Sequence, residues 1–526
     1  MYIIFCHMGR EHLGIEYLSS VLKARGHRVG LAYDPGYFSI QDNTIQNRML
    51  EKLFSREEYI LRKIEDEKPD IVAFSVYTES FSSHINLARK IKERIKTITV
   101  FGGSHATLVP DRVIAHEVVD IVVIGEGENV MVKVVEAMGK GYPLDDIHNI
   151  YFKKNGKIIK SKFIPDLVDL DQLPYPDKEL FAPYIKYSDD YLALASRGCP
   201  YSCTFCSESH FNKITHNLNF RQRSVESMIG ELSYMKAKYN IREIIFFDNI
   251  FHLNKEWLRK FLKEYSHHIA VPFKCLGHVN SFDRETAQLL KENYCYNINF
   301  GLQSTDPIVR QKILNRYTHD EKISKAFSHC EEMHLKFDVD IIFNLPSDRL
   351  ETVARNALLF KQYKSLNRIK CFNLTYYPRL EIIRKAQAEG ILTPEDMENI
   401  ESGKDQWPFY MIPPNGKMQK AMGKGLIALY KILPLLPAFV VRYLTKNKRY
   451  RWLGHVPAGG IILLQAVLAI RNGDYRFYIY FKNYLRRIRF LLEKMLLKAA
   501  LPKRKEFPER APMLAIGGKP YETFRT

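Results

Sequence analysis

Ser196-Arg197-Gly198-Cys199-Pro200-Tyr201-Ser202-Cys203-Thr204-Phe205-Cys206 places three cysteines within eight residues. A loop this short can present three thiolates to one face of an iron–sulfur cube, which leaves one iron without a protein ligand. An iron left open in this way can bind a small molecule and pass it an electron. The other metal reading, structural zinc, needs a fourth ligand and usually brings paired CxxC knuckles, and the chain has none. Cys199, Cys203 and Cys206 are therefore the candidate metal ligands.

Five further cysteines, Cys6, Cys275, Cys295, Cys330 and Cys371, are scattered singly. They form no disulfide framework, and thiolates kept free for iron imply a reducing compartment. The start, Met1-Tyr2-Ile3-Ile4-Phe5-Cys6-His7, lacks a secretory n-region. A cytoplasmic protein is expected. At 526 residues and 46% apolar composition, the chain has room for about three packed domains of ~150 residues each.

Working outward, residues 1–150 alternate short apolar runs (Tyr2–Met8, His27–Tyr33, Ile71–Val76, Ile98–Phe101, Ile121–Ile124) with amphipathic stretches. Continuous Val, Ile and Phe runs suit parallel strands buried on both faces, so a doubly wound α/β domain is expected, with its ligand beyond the strands' carboxyl ends. Those ends carry Ser75-Val76-Tyr77-Thr78, Gly102-Gly103-Ser104-His105-Ala106-Thr107 and Gly125-Glu126-Gly127-Glu128. Residues 151–190, with Pro165, Pro174, Pro176 and Pro183, read as a linker. Within residues 191–400, six strand-like runs alternate with helical ones: Tyr191–Arg197, Glu243–Asp248, Phe273–Gly277, Ile298–Leu302, Phe337–Phe343 and Ile369–Thr375. Six βα units suggest a partial TIM-type barrel, with chemistry at the strands' carboxyl ends.

With Phe205 before its third cysteine, the CxxxCxxC loop resembles that of the radical S-adenosylmethionine (radical SAM) enzymes. The resemblance implies a [4Fe-4S] cluster whose open iron is chelated by the methionine moiety of S-adenosylmethionine. Phe246-Phe247-Asp248-Asn249-Ile250-Phe251 resembles the family's motif for the cofactor's amino group, with Asn249 in place of the commoner second Asp. Gln303 in Gly301-Leu302-Gln303-Ser304 stands where the family often has a Glu reaching the ribose. Asn344-Leu345-Pro346 followed by Glu351-Thr352 resembles the late Leu-Pro-x-Glu-Thr stretch. Arg223, His278 and Asn280 also fall near strand ends and carry no assignment.

The glycine turns of the first domain resemble the Rossmann-like cobalamin-binding domain that precedes the cluster in one large class of these enzymes. That implies a corrin pocket lined by Ser75, Thr78, Gly102, Gly103, Ser104, His105, Thr107, Gly125, Glu126, Gly127 and Glu128. The DxHxxG signature of histidine ligation to cobalt is absent at His7 and His12, so such ligation is not expected from it. A flavodoxin-like nucleotide pocket is the plainer reading of glycine turns alone.

Residues 401–526 differ in texture. Residues 411–526 carry 23 Lys and Arg against five Asp and Glu, so 18 of the chain's 19 net positive charges lie there. Apolar runs alternate with basic clusters, and Lys431, Pro434, Pro437 and Arg442 interrupt the first run, while the second reaches only 15 residues against the ~20 of a bilayer span. A mainly helical region is expected, either lying on an anionic membrane at its inner face or capping the barrel. Nucleic acid is not the expected partner.

The resemblance implies cleavage of S-adenosylmethionine to a 5′-deoxyadenosyl radical, with electrons from a one-electron reductant such as a flavodoxin or ferredoxin. With cobalamin, methylation of an unactivated carbon of a hydrophobic or lipid-like small molecule is expected; no catalytic side chain is named. Cobalamin-dependent cyclisation or other carbon–carbon bond formation is the alternative. A methylthiotransferase would carry a second cysteine triplet in its N-terminal domain, and a non-catalytic cobalamin- or membrane-binding protein would not need an intact cysteine loop.

Overall fold

The computed structural model describes residues 1–39, 47–216, 220–404 and 417–474, with Lys482 and Leu485. The chain divides into units 1–468 and 469–526, and the expected amphipathic stretch Tyr475–Leu497 lies outside the described residues apart from those two positions.

The first sheet holds seven strands in the order β2-β1-β3-β4-β5-β6-β7. The first five, β1 (Tyr2–Met8), β2 (Arg28–Asp34), β3 (Ile71–Ser75), β4 (Ile98–Gly102) and β5 (Ile121–Val123), are parallel. Ile3, Ile4, Phe5 and Cys6 of central β1 are fully buried, as a strand covered on both faces must be. The chain order reverses between β1 and β3, which puts the ligand crevice over their carboxyl ends.

The sheet continues past residue 150. β6 (Ile150–Lys154) and β7 (Lys157–Lys160) form an antiparallel hairpin on its edge, so the linker expected from residue 151 gives its first ten residues to the sheet. The turn Asn155-Gly156 has both residues at positive φ, 51° and 73°, the two-residue geometry that Asn-Gly favours. The remaining linker is tied down by Lys178. Its fully buried ammonium reaches Glu11 at 2.5 Å and Glu16 at 2.9 Å on the first domain and donates to Leu192 O at 3.0 Å on the next. Burial alone would lower this lysine's pKa, and the two carboxylates reverse that and hold it above its ordinary value.

The second sheet has six parallel strands in the order β15-β14-β13-β12-β11-β8: β8 (Tyr191–Ala193), β11 (Ile244–Phe246), β12 (Phe273–Gly277), β13 (Cys295–Gln303), β14 (Lys336–Phe343) and β15 (Leu366–Asn373). These are the six expected runs, in an open α/β barrel. A two-stranded ribbon, β9 (Ser196–Arg197) with β10 (Arg221–Gln222), frames the cysteine loop. Between the strands, inward polar side chains form a buried network: Lys274 Nζ lies 2.7 Å from Asp338, which also takes Arg368 at 3.2 Å.

The C-terminal region is helical. Helix Lys417–Ile432 packs on β15 and the helix Leu350–Asn356, with the Tyr430 hydroxyl donating to Val353 O at 2.7 Å. Gly425 permits the close approach of the next segment, since a Cβ there would stand 2.2 Å from Tyr450 O. This region therefore caps the barrel edge. Among the described residues no single helix is long and apolar enough to cross a membrane.

Candidate active site

The cysteine loop leaves the ribbon at Gly198, φ +83°, and its backbone is fixed from four directions. Asn249 Nδ2 donates to Gly198 O at 3.1 Å. Asn212 Nδ2, on helix Glu208–Ile214, donates to Cys199 O at 2.8 Å and Tyr201 O at 3.2 Å. Thr204 gives its N–H to Leu314 O at 3.1 Å and its hydroxyl to Ile313 O at 2.7 Å, at the end of a π-helical turn, Val309–Ile313. Ile382 N donates to Thr204 O at 3.1 Å. The Tyr201 ring stacks on His278, centroids 4.3 Å apart.

The Cys199, Cys203 and Cys206 thiols lie close enough together to influence one another's ionisation. Burial pushes the Cys199 thiol up to about 11 and Cys206 to about 12, so iron must displace protons to bind. Arg316, 8% exposed, brings Nη1 to 3.5 Å from Cys203 Sγ and donates from Nη2 to Gly301 O. Three thiols, a cation and no fourth protein ligand suit an anionic cluster with one open iron.

Strand alternation splits the motif after β11. Asp248 is fully buried, accepting from Ser196 Oγ at 2.6 Å and Ala195 N at 3.2 Å, and burial raises its pKa to about 6 against those hydrogen bonds. It anchors the start of the cysteine loop and does not face a cavity. Phe247, 57% exposed, and Asn249 face a cavity of about 280 Å³ whose walls include Phe163, Leu167, Leu194 and Phe211. Phe205 packs against the apolar group of Leu314, Leu380 and Ile382 behind the loop. Gln303, φ +72°, ends β13 at a register shift beside Gly301, on the side where Arg316 binds.

A second cavity, about 240 Å³, opens over β1, β3 and β4 at the switch point. Of the first-domain residues expected at a corrin, it is lined by Ser75, Gly102, Gly103, Gly125, Glu126, Gly127 and Glu128. Thr78, Ser104, His105 and Thr107 do not line it. His105 is fully buried behind the turn, with Nδ1 3.0 Å from Thr78 Oγ1 and Phe81 against its ring, and burial lowers it to about 3. Thr107 Oγ1 donates to Gly103 O at 2.9 Å and accepts from Gly125 N at 3.0 Å, splicing the two glycine turns together. Ser104 opens the short helix Ser104–Leu108.

The two acidic residues of the GEGE run do more than line the cavity. Arg197 Nη2 reaches Glu128 at 2.7 Å, Arg221 pairs with Glu126, and Arg197 also lies over the Tyr17 ring at 5.1 Å. The ribbon that carries the cysteine loop is thus clamped onto the first domain. Gly125, Glu126, Leu194 and Arg197 line both cavities.

His12 also lines the second cavity. Its Nδ1 accepts from Ile15 N at 3.3 Å as helix N-cap, so in the neutral ring the proton sits on Nε2, 3.1 Å from Ser75 Oγ and 3.2 Å from Tyr77 Oη. Burial lowers His12 to about 4 and keeps it neutral.

The small residues lining the cavity suit close approach of a flat macrocycle to the backbone. The floor is built from Gly14, Ala73, Gly102, Gly103 and Gly125, and a Cβ on Gly102 would meet nothing nearer than Val123 at 3.8 Å. Packing alone does not demand that glycine. The sequence offered no assignment for Arg197, Arg221 and Arg316, and left His278 unassigned near a strand end, because their partners lie in other elements. The one local signal was Arg197, two residues before Cys199.

Residues 11–135 match the B12 binding domain and residues 194–357 the radical SAM superfamily. An uncharacterized methyltransferase of Pyrococcus horikoshii is 29% identical over 71% of this chain and 82% of its own length. Cytidylyl-2-hydroxyethylphosphonate methyltransferase of Streptomyces wedmorensis is 21% identical over 64% of this chain and 69% of its own. Among solved structures, the cobalamin-dependent S-adenosylmethionine radical enzyme OxsB superposes with TM-score 0.64 at 14% identity, covering 92% of this chain and 75% of that one. The chain belongs to the cobalamin-binding-domain-containing radical SAM enzymes. It is an enzyme of the cobalamin-dependent radical SAM methyltransferase type, whose cofactors are a [4Fe-4S] cluster, S-adenosylmethionine and cobalamin.

Proposed function

We propose that this enzyme methylates an unactivated carbon of a hydrophobic small molecule held in the cavity beside the cysteine loop. The observation that carries this reading is the shared wall: the cavity at the loop, which includes Phe163, Leu167, Phe211 and Phe247, and the glycine-lined cavity of the first domain meet at Gly125, Glu126, Leu194 and Arg197. In such an arrangement bound cobalamin supplies the methyl group and the cluster, with S-adenosylmethionine, supplies the radical that opens a carbon–hydrogen bond.

The chain's own residues have distinct tasks. Cys199, Cys203 and Cys206 would hold the cluster, and Arg316 would balance charge beside Cys203. Asn249, with its amide already oriented by Gly198 O, would offer its carbonyl oxygen to the cofactor's ammonium, a task the family motif gives jointly to Asp248. Gln303 addresses the ribose from the end of β13. Ser75, Gly102, Gly103 and the Gly125–Glu128 turn would hold the corrin, with His12 at the cavity's edge. Phe163, Leu167, Phe211 and Phe247 exclude water and favour an apolar substrate.

A lipid-like substrate gains support from the C-terminal region. Phe439, Tyr443, Trp452, Leu463 and Val467 are exposed there at 50% or more, beside Arg442, Lys446, Lys448, Arg449 and Arg451. Aromatic and basic side chains interleaved in this way suit the inner face of an anionic membrane.

The test is protein purified without oxygen from cells supplied with cobalamin. Stoichiometric cobalt with about four irons is expected. Cells fed methyl-deuterated methionine should make a deuteromethylated apolar product with the native chain and none with Cys203→Ala. Iron without cobalt would overturn the methyl transfer. A new ring or carbon–carbon bond without deuterium would select the cyclisation chemistry instead.

A further inference from the structure

A third cavity, about 330 Å³, lies on the outer side of the cysteine loop, lined by Lys213, Arg379, Glu381, Arg384, Lys385 and Ala388. Four cations face one carboxylate, and Lys385 is within 3.4 Å of Glu381. Lys213, Arg379 and Arg384 are exposed. The first 410 residues are nearly neutral overall, so this concentration of charge is local.

Its position is set by the elements that grip the cysteines. Lys213 lies on helix Glu208–Ile214, whose Asn212 binds Cys199 O and whose Ser209 N donates to Cys206 O at 3.1 Å. From Glu208 to Lys213 is roughly 8 Å at ~1.5 Å per residue. Arg384 and Lys385 lie on helix Glu381–Ala388, whose Ile382 N donates to Thr204 O between Cys203 and Cys206. The Lys385 ammonium donates to Lys312 O at 2.6 Å, in the turn that receives Thr204. Both helices behind the basic cavity are therefore one hydrogen bond from the loop.

We propose that this basic cavity is the docking surface for an acidic one-electron carrier protein, which reduces the cluster through the Thr204 side of the loop. The proposal rests on the cluster reading above. In the step, a flavodoxin hydroquinone gives one electron to the cluster and becomes the semiquinone, and no bond to the chain forms or breaks. A patch of net charge +3 steers an acidic partner, raising its association rate by 10- to 1,000-fold in general and losing that gain as salt screens it. Charge complementarity favours a protein here, because the cations span two helices and a turn.

The experiment uses the full chain with its cluster assembled and follows bleaching of the cluster's visible absorption in stopped flow, with the reduced cluster confirmed by electron paramagnetic resonance. Flavodoxin hydroquinone is one donor. Photoreduced deazaflavin, small and uncharged, is the other. K213E/R384E is expected to slow reduction by flavodoxin at least tenfold at low salt and to abolish its salt dependence, leaving the deazaflavin rate unchanged. K140E/K157E, an equal charge change at exposed sites on the first domain, should leave both rates near native. An unchanged flavodoxin rate in K213E/R384E, an equal loss in K140E/K157E, or an equal loss with both donors would overturn the docking surface. No reducible cluster with deazaflavin in the native chain would overturn the cluster reading itself.

Discussion

Adjacent glycines in the turn after β4 have opposite reasons to be glycine, and substituting each in turn separates them. Gly103 has φ +92° and ψ −171°, backbone that only glycine adopts readily, and a Cβ there would stand 2.8 Å from Val76 N and 3.0 Å from Val76 O. The backbone conformation costs ~1–3 kcal/mol in any other residue, and forcing a methyl against main chain adds ~1–3. Gly103→Ala should therefore lose about 2–6 kcal/mol and lower the Tm by at least ~4 °C, taking ~2–4 °C per kcal/mol for a domain of this size. Gly102 ends β4 in extended backbone with its nearest neighbour 3.8 Å from a Cβ. Gly102→Val should hold or slightly raise stability, by up to ~1 kcal/mol from the stiffer unfolded chain, while its methyl groups enter the cavity floor. Aquacobalamin titrated into the cobalamin-free chain should bind at least tenfold more weakly to Gly102→Val. Native cobalamin affinity in that variant, or native stability in Gly103→Ala, would refute the division.

Three further outcomes follow from the same geometry. Arg316→Gln removes a cation beside Cys203, and at ~6 Å and an effective dielectric near 20 that is worth up to ~3 kcal/mol. The cluster's reduction potential should become about 50–120 mV more negative, taking ~59 mV per tenfold change for one electron, and an unchanged potential in redox titration would show that the guanidinium does not act on the cluster. Arg197→Met leaves Glu128, with its side chain 6% exposed, without its partner, at ~3–5 kcal/mol. Trypsin should then cut the 161–190 stretch markedly faster, and native cutting rates would count against the clamp. In the first domain, burial lowers His84 to about 4 and His105 to about 3. Both are neutral when folded and take up protons near pH 6.5 when unfolded, so their stability contribution is full above pH 6.5 and fades as pH falls toward 4. At pH 5 each costs ~2 kcal/mol, so the urea midpoint should fall between pH 7 and pH 5, and His84→Gln should flatten that slope by one proton. An unaltered slope would contradict neutral burial of His84.

Much of this site is legible in the chain because its signals are local. Buried runs such as Ile3-Ile4-Phe5-Cys6 give the parallel strands, and one short loop holds all three thiols. The hairpin 150–160 escaped because Lys153, Lys154, Lys157 and Lys160 dilute the apolar pattern on a sheet edge. Its Asn155-Gly156 turn was the readable clue. The roles of Glu126 and Glu128 were hidden for a different reason. Their partners Arg221 and Arg197 lie 95 and 69 residues away, and no local spacing announces a pair that only domain docking brings together.

The motif after β11 lies between these cases, since family resemblance supplied the residues and their burial separates them. Side chains alternate across a strand with period two. Phe246 and Asp248 share one face and are fully buried, whereas Phe247 and Asn249 share the other and reach the cavity. A carboxylate drawn inward to Ser196 and Ala195 fixes the start of the cysteine loop, and the neighbouring amide lines the cavity beside that loop. Asn249 can take this place because an amide both donates to Gly198 O and keeps an oxygen as acceptor. An aspartate there would lose the donor and set its charge against the Gly198 carbonyl. The Asn in place of the commoner Asp is thus consistent with a loop held by a hydrogen bond from the same residue that lines the cavity beside it.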